Sequence, residues 1–190
     1  IPVYNIDGCL NRTSYSRANQ NGPESYGFRG NDKNLDLNRD FVKCDSRNAQ
    51  SFNRIFSYWS PDVMIDNHTS NGADYQYVMT LITSQEDKMG PILGEYVRNT
   101  LNPALFAGMA AKKWDMIPYV NADGPPDENG IEQFLETPRF SSGYAALHHC
   151  IAFMPETHML KPYPPRVRST YDLMLVMLEF LNERGKEIQE

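Results

Sequence analysis

Residues 63–80, "VMIDNHTSNGADYQYVMT", decide how this chain is read. The apolar run Val63-Met64-Ile65 has the length and branching of a buried strand, and it ends in Asp66-Asn67-His68. A polar loop of small residues follows, and then a second strand-like run over residues 75–83. Asp66 and His68 are two apart, so on a strand they face the same side. A histidine at the carboxyl end of a strand in an α/β sheet sits where ligands collect. Two readings stand beside each other: a hydrogen-bonded structural histidine, and a ligand. The other three of the four histidines, His148, His149 and His158, lie far downstream.

Working outward, residues 46–59, "SRNAQSFNRIFSYW", place Phe52, Ile55, Phe56 and Trp59 at helical spacing behind Ser46, a good N-cap. Pro61-Asp62 breaks that helix and leads into the strand at 63–67, and helix, turn, apolar strand is an α/β rhythm. Downstream, residues 88–113 read as a helix interrupted near Pro103, 118–130 as a turn-rich insertion, and 150–156 as a strand. The segment at 169–188, with Leu173, Val176, Met177, Phe180 and Leu181 on one side, is the clearest helix. Upstream, residues 1–6 read as a short strand ended by Asp7-Gly8, and 9–40 as a long polar loop of the kind that carries function. No internal repeat, linker or low-complexity tract divides the chain, so 1–190 is read as one domain.

The 190 residues suffice for a sizeable core, and hydrophobic and charged contents of 41% and 22% are those of a globular protein. No apolar run reaches the roughly 18 residues that span a bilayer. A net charge of -6 without a basic stripe argues against nucleic acid as a partner. Cys9, Cys44 and Cys150 have no metal-type spacing; one disulfide plus a thiol, or three thiols, both fit. Asn11 and Asn67 head glycosylation sequons, the second inside the candidate site.

Several side chains invite chemistry. Glu156 follows the apolar run Ala152-Phe153-Met154 and Pro155, so burial would raise its pKa toward that of a general base; a salt bridge to Arg166 or Arg168 is the bland alternative. Arg17, Asn38 and Arg39, with Arg12 and Arg29 nearby, could form an anion pocket or be solvated loop residues. Tyr144, after a glycine, could swing over a pocket or pack in the core. A self-contained metal site from Asp66, His68, Glu156 and His158 is a further possibility.

Taken in order, these segments resemble the zinc carboxypeptidases of the M14 type. "YNIDG" is similar to that family's Asn-Pro-Asp-Gly turn, with Ile6 in place of Pro, and "SRAN" matches its arginine segment at Arg17. "NLDLNRDF" is the most specific piece, "DNHTSNG" follows about 30 residues later, and "FMPETH" precedes a long helix. The resemblance implies a mixed β-sheet with helices on both faces. It implies His68 as the last of three zinc ligands, Glu156 as the base that activates water, and Arg17 as the oxyanion partner. Asn38 and Arg39 would grip a terminal carboxylate, and Tyr144 would be the mobile substrate-binding tyrosine. The implied activity is zinc-dependent hydrolysis of an amide bond near a free C-terminal carboxylate of a peptide or peptide-like substrate, in a secreted or periplasmic setting. A non-catalytic peptide-carboxylate binding module, or an amidase or deacylase, are the alternatives.

The chain departs from the family in lacking a His-x-x-Glu segment, which would supply the other two zinc ligands; no histidine precedes His68. Its loop before Asn38 is expanded by "NQNGPESYGFRGND". The expectation is therefore the later, N-terminally incomplete portion of such a catalytic domain, inactive by itself, with an N-terminal segment of the same protein as a partner.

Overall fold

A computed structural model describes residues 1–17, 21–121 and 124–190. Helix α1 (Ile6–Leu10) and the strands β1 (Arg12–Thr13) and β2 (Tyr26–Gly27) lead to a 3₁₀ turn at Leu37–Arg39 and helix α2 (Arg47–Trp59). Strands β3 (Val63–Ile65), β4 (His68–Thr69) and β5 (Met79–Thr83) follow. Then come a 3₁₀ turn at Glu86–Met89, helix α3 (Pro91–Tyr96), a π turn at Val97–Leu101 and helix α4 (Asn102–Ala111). Strand β6 (Met116–Pro118) precedes a small excursion of β7 (Val120–Asn121), α5 (Pro126–Asn129) and β8 (Glu132–Gln133). Helix α6 (Ser141–Ala146), strand β9 (Ile151–Thr157) and helix α7 (Tyr163–Gln189) complete the described chain.

The main sheet has the order β3-β9-β5-β6, with β4 also on β9. It is mixed: β3 and β4 run parallel to β9, β5 runs antiparallel to it, and β5 and β6 are parallel. All seven residues of β9 are buried, as a strand paired on both edges and covered on both faces must be. Its side chains alternate between two cores. Ile151 and Phe153 join Met79, Leu81, Leu101, Leu105, Met109, Leu173 and Met177 beneath α4 and α7. Ala152, on the other face, packs with Phe41 after the first 3₁₀ turn, Phe56 from α2, and Tyr144 and Ala145 from α6. Met154 and Glu156 share that second parity, and this is what aims Glu156 at a cleft rather than into the larger core.

The expected helix at 46–59 forms, with the Ser46 hydroxyl accepting from the Ala49 N–H at 3.0 Å. Two expectations are corrected. Residues 1–6 make no strand among the described residues; Asn5 instead caps a short helix, its side chain accepting from the Gly8 N–H at 3.0 Å. Residues 75–78 stay outside the strand, which begins at Met79. The helical run over 91–111 is interrupted near Pro103 as expected, in the form of the π turn at Val97–Leu101: Pro103 cannot donate to the preceding turn, and the change of hydrogen-bond pattern just before it accommodates the loss. Pro164 and Pro165 sit in the first turn of α7, where a missing N–H costs no helix bond, and α7 opens six residues earlier than its apolar periodicity suggests. Among the described residues no helix is long and apolar enough to cross a membrane, and the three cysteines are free thiols.

Candidate active site

The sheet brings His68 and Glu156 together by register. His68 on β4 lies directly opposite Glu156 on β9, with Nδ1 of the imidazole 3.9 Å from Glu156 Oε1. The Thr157 hydroxyl donates to the His68 carbonyl at 3.1 Å and fixes that pairing. On its other side the ring meets Asp66, Nε2 to Oδ2 at 2.8 Å. A carboxylate can only accept, so Nε2 donates to it, and in the neutral ring Nδ1 holds the lone pair, on the side of Glu156. Burial opposes the charged imidazolium, but the Asp66 hydrogen bond and the charges of Asp66 and Glu156 outweigh it and raise the His68 pKa. Burial likewise works against an ionised Asp66, and the His68 hydrogen bond outweighs it, so its pKa is lowered.

Glu156 is 7% exposed, and its Oε2 has no hydrogen-bond partner among the described residues. Burial, with a smaller push from Asp66, raises its pKa to about 7, against the opposing charges of His68, Arg29 and Arg17. A carboxyl poised near neutrality can take up and release a proton, as a general base requires.

The polar loop supplies the facing wall. The Asn5 amide donates to the carbonyls of Arg29 and Gly30 at 3.0 and 3.1 Å, so the turn that resembles the family motif ties down the loop carrying Arg29. Asn31 Oδ1 accepts from the N–H groups of Lys33 and Leu35, and Asp36 Oδ1 caps the 3₁₀ turn by accepting from the Asn38 N–H at 3.0 Å. Asp36 also pairs with Arg29 at 3.0 Å. The Arg39 guanidinium stacks on Phe140 at 4.4 Å and donates to the Asn38 carbonyl at 2.8 Å, which pre-orients its fork.

A single cleft of about 140 Å³ is lined by Arg17, Asn38, Arg39, His68 and Glu156. Residues separated by up to 139 positions in the chain thus face one space. Burial and the charge of Arg29 lower the Arg17 pKa, against Asp36 and Glu156, and burial also lowers that of Arg39. The Asn38 Oδ1, like Glu156 Oε2, is buried without a partner among the described residues. Of the "SRAN" segment, Ala18 and Asn19 lie outside the described residues, as does the start of the expanded loop at 19–20.

Tyr144 is the expected site residue that the structure keeps away from this cleft. It is 7% exposed on α6, with Phe56 and His148 at 5.4 and 4.8 Å between ring centroids. The buried α6 face, not a loop, determines its direction. The tyrosine that does line this cleft is Tyr119, together with Phe134, Phe140 and Arg29. Tyr119 opens the segment that composition marks only as turns, where a lone aromatic carries no periodic signal.

The carboxylate–histidine pair, with Nε2 held by Asp66, is the arrangement that metal-ligating histidines adopt. Zinc nevertheless does not fit the described residues alone, which contain no group of three or more His, Cys, Asp or Glu side chains able to hold a metal ion. Nor do Asp66, His68, Glu156 and His158 form a site of their own. His158 turns away to Asp74 at 3.2 Å and accepts from the Leu160 N–H.

No protein-family model matches the chain, and no curated protein matches it. Solved structures do. A metallo-carboxypeptidase from Pseudomonas aeruginosa, in complex with (2-guanidinoethylmercapto)succinic acid, superposes with a TM-score of 0.57 at 15% identity, covering 83% of this chain and 42% of its own. A metallo-carboxypeptidase from Burkholderia cenocepacia gives 0.54 at 15% identity over 80% of this chain and 40% of its own. A putative carboxypeptidase A from Shewanella denitrificans gives 0.57 at 15% identity, with coverages of 83% and 42%. The mixed sheet with flanking helices is thus a carboxypeptidase-like fold, and the chain spans about two fifths of the length of these structures.

Proposed function

We propose that this chain forms the carboxylate-gripping, proton-accepting part of a zinc-dependent, carboxypeptidase-like hydrolase that cleaves an amide bond near a free C-terminal carboxylate. The observation that carries the reading is the convergence of Arg17, Asn38, Arg39, His68 and Glu156 on one cleft. In that reading Arg39 and Asn38 hold the substrate carboxylate, the guanidinium through paired charge-assisted hydrogen bonds. Glu156 takes a proton from the attacking water and returns it to the leaving nitrogen. Arg17 faces the oxygen on which negative charge develops. His68 is one zinc ligand, and the remaining ligands come from another segment of the same protein or a second chain. Alone, the 190 residues hold zinc weakly and turn nothing over. The resemblance carries with it a secreted or periplasmic setting.

A second reading, a peptide-carboxylate binding module without hydrolysis, draws its support from the lack of a metal-holding group among the described residues.

Titrating the chain with short peptides bearing free or amidated C-termini tests the grip. The free acids should bind more tightly by about tenfold or more, the worth of a charge-assisted hydrogen bond, and Arg39→Ala should erase the difference. Indifference to amidation sinks the grip. Metal analysis comes next: tight, stoichiometric zinc in this chain would overturn the dependence on outside ligands. Zinc-dependent turnover by a longer form of the protein separates hydrolase from module.

A further inference from the structure

One border of the cleft is an unbroken arc of rings. Tyr75, in the loop between β4 and β5, stands 6.2 Å from Tyr119 between ring centroids. Tyr119 stands 5.9 Å from Phe134, and Phe134 5.0 Å from Phe140. Phe140 in turn carries the Arg39 guanidinium at 4.4 Å. Tyr119, Phe134 and Phe140 face the cleft, whereas Tyr75 stands behind them and does not.

Tyr75 is fixed to the main sheet. It is 7% exposed, with its ring edge-on to His158 at 6.1 Å. Its loop is pinned at both ends. The Ser70 N–H donates to the Thr157 carbonyl at 2.7 Å, and the His158 N–H donates to the Val78 carbonyl at 2.8 Å. Between them, Asp74 meets His158 Nε2 at 3.2 Å. From this frame the Tyr75 hydroxyl reaches out and donates to the Val120 carbonyl at 2.9 Å. Val120 opens β7, whose strand partner among the described residues is β8. A two-stranded ribbon has little stability of its own. At its roots the Tyr119 N–H donates to the Leu81 carbonyl at 3.1 Å, and Glu136 accepts from the Gln85 N–H at 2.8 Å. The Tyr75 hydroxyl adds a tie from the opposite side, beside the loop that follows His68.

Resting on the carboxylate grip proposed above, we propose that Tyr75 is a positioning residue for Arg39. Its hydroxyl holds the β7–β8 ribbon in place, and the rings of Tyr119, Phe134 and Phe140 pass that constraint to the guanidinium. A guanidinium grips a carboxylate by two parallel hydrogen bonds in one plane, so a shift of the ring it stacks on is felt in the grip. Packed side chains in contact are the kind of chain through which such coupling travels, and coupling is what has to be measured.

The test is a double-mutant cycle on the 190-residue chain, read calorimetrically with benzoyl-glycyl-phenylalanine as free acid and as amide. Tyr75→Phe keeps the ring and deletes the hydroxyl alone. It should weaken binding of the acid about fivefold and leave the amide unchanged. With Arg39→Ala already present it should change neither. Native-state hydrogen exchange gives a second reading: Tyr75→Phe should speed exchange in β7 and β8 about tenfold while β5 and β9 keep their protection. A loss that falls equally on acid and amide, or that persists in the Arg39→Ala background, makes the hydroxyl a packing element and overturns the proposal. Unaltered exchange in β7 and β8, or a loss of protection across the main sheet, overturns it as well. Failure of the grip shows already in the unaltered chain, as equal binding of acid and amide. Tyr75 then positions nothing for Arg39, even where faster β7–β8 exchange keeps it as the anchor of the ribbon.

Discussion

Asp40 and Glu156 are the same functional group and both are closed to solvent, 4% and 7% exposed, but Glu156 lies far deeper among protein atoms, and the protein treats them in opposite ways. Asp40 sits where the polar loop enters α2, and both of its oxygens find donors: the Asp45 N–H on Oδ1 and the Ser46 N–H on Oδ2, each at 2.9 Å, with the Ser46 side chain as well. Burial pushes its pKa up, but the hydrogen bonds from Ser46 and Asp45 outweigh that and leave it lowered. Glu156 keeps one oxygen unpartnered and its pKa rises to about 7. A buried carboxylate surrounded by donors is a structural staple; one left short of donors is a reactive group held in reserve. The difference separates a scaffold carboxylate from a candidate site carboxylate without reference to any relative.

Breaking the staple should have the largest effect. Asp40→Ala leaves two N–H groups and a hydroxyl buried without an acceptor, and unsatisfied buried donors cost about 1–3 kcal/mol each. We expect a loss of about 3 kcal/mol in urea unfolding; a loss below about 1 kcal/mol would show that water replaces the carboxylate freely. The pH dependence follows from the lowered pKa. In the folded state Asp40 releases its proton more readily than in the unfolded chain, so its contribution is complete above the ordinary carboxylate pKa and is lost as pH falls through the folded value. Stability of Asp40→Asn should therefore fall less steeply with acid than that of the unaltered chain.

Both members of this pair stand in the sequence, yet only one is recognisable there. Glu156 follows an apolar run, and a carboxylate at the end of such a strand is legible as partly desolvated. Helix α2, strand β9 and helix α7 are legible for the same reason: period and caps are local. Asp40 is not, because its donors come from the path of the chain through residues 44–46. The packing of Tyr144 is not legible either, on similar grounds. A tyrosine after a glycine says nothing about which face of α6 it occupies, and aromatic packing against Phe41, Phe52 and Phe56 settles that. Tyr119 is not legible because a cleft is assembled from single residues on different elements. The clustering of Arg17, Asn38, Arg39, His68 and Glu156 was legible only through motif order.

Glu136 gives an intermediate case. It is 1% exposed, and its Oε1 accepts from the Gln85 N–H at 2.8 Å and faces Lys88 at 3.6 Å. Glu136→Ala removes fewer donors' partners than Asp40→Ala, so a smaller loss is expected, about 2 kcal/mol by the same unfolding measurement. A loss as large as that of Asp40→Ala would mean that the Lys88 pair, rather than hydrogen-bond satisfaction, sets the scale.

The smallest effect, and the most telling in sign, belongs to Glu156→Gln in chelator-treated protein. Its carboxyl binds a proton more readily when folded than when unfolded. The group therefore favours the folded state below the ordinary carboxylate pKa of 4.5, and that contribution is lost as pH rises toward about 7. Above pH 7 the unaltered chain holds a buried charge with an unpartnered oxygen, whereas glutamine offers an amide of the same shape without the charge. Unfolding at pH 8 should show Glu156→Gln more stable than the parent by about 1 kcal/mol, with the gain shrinking as pH is lowered through 7. Asp40→Asn, the same chemical change, should destabilise at both pH values. If Glu156→Gln destabilised at pH 8 as Asp40→Asn does, Glu156 would be a second staple, and the base assigned to the cleft would have to be found elsewhere.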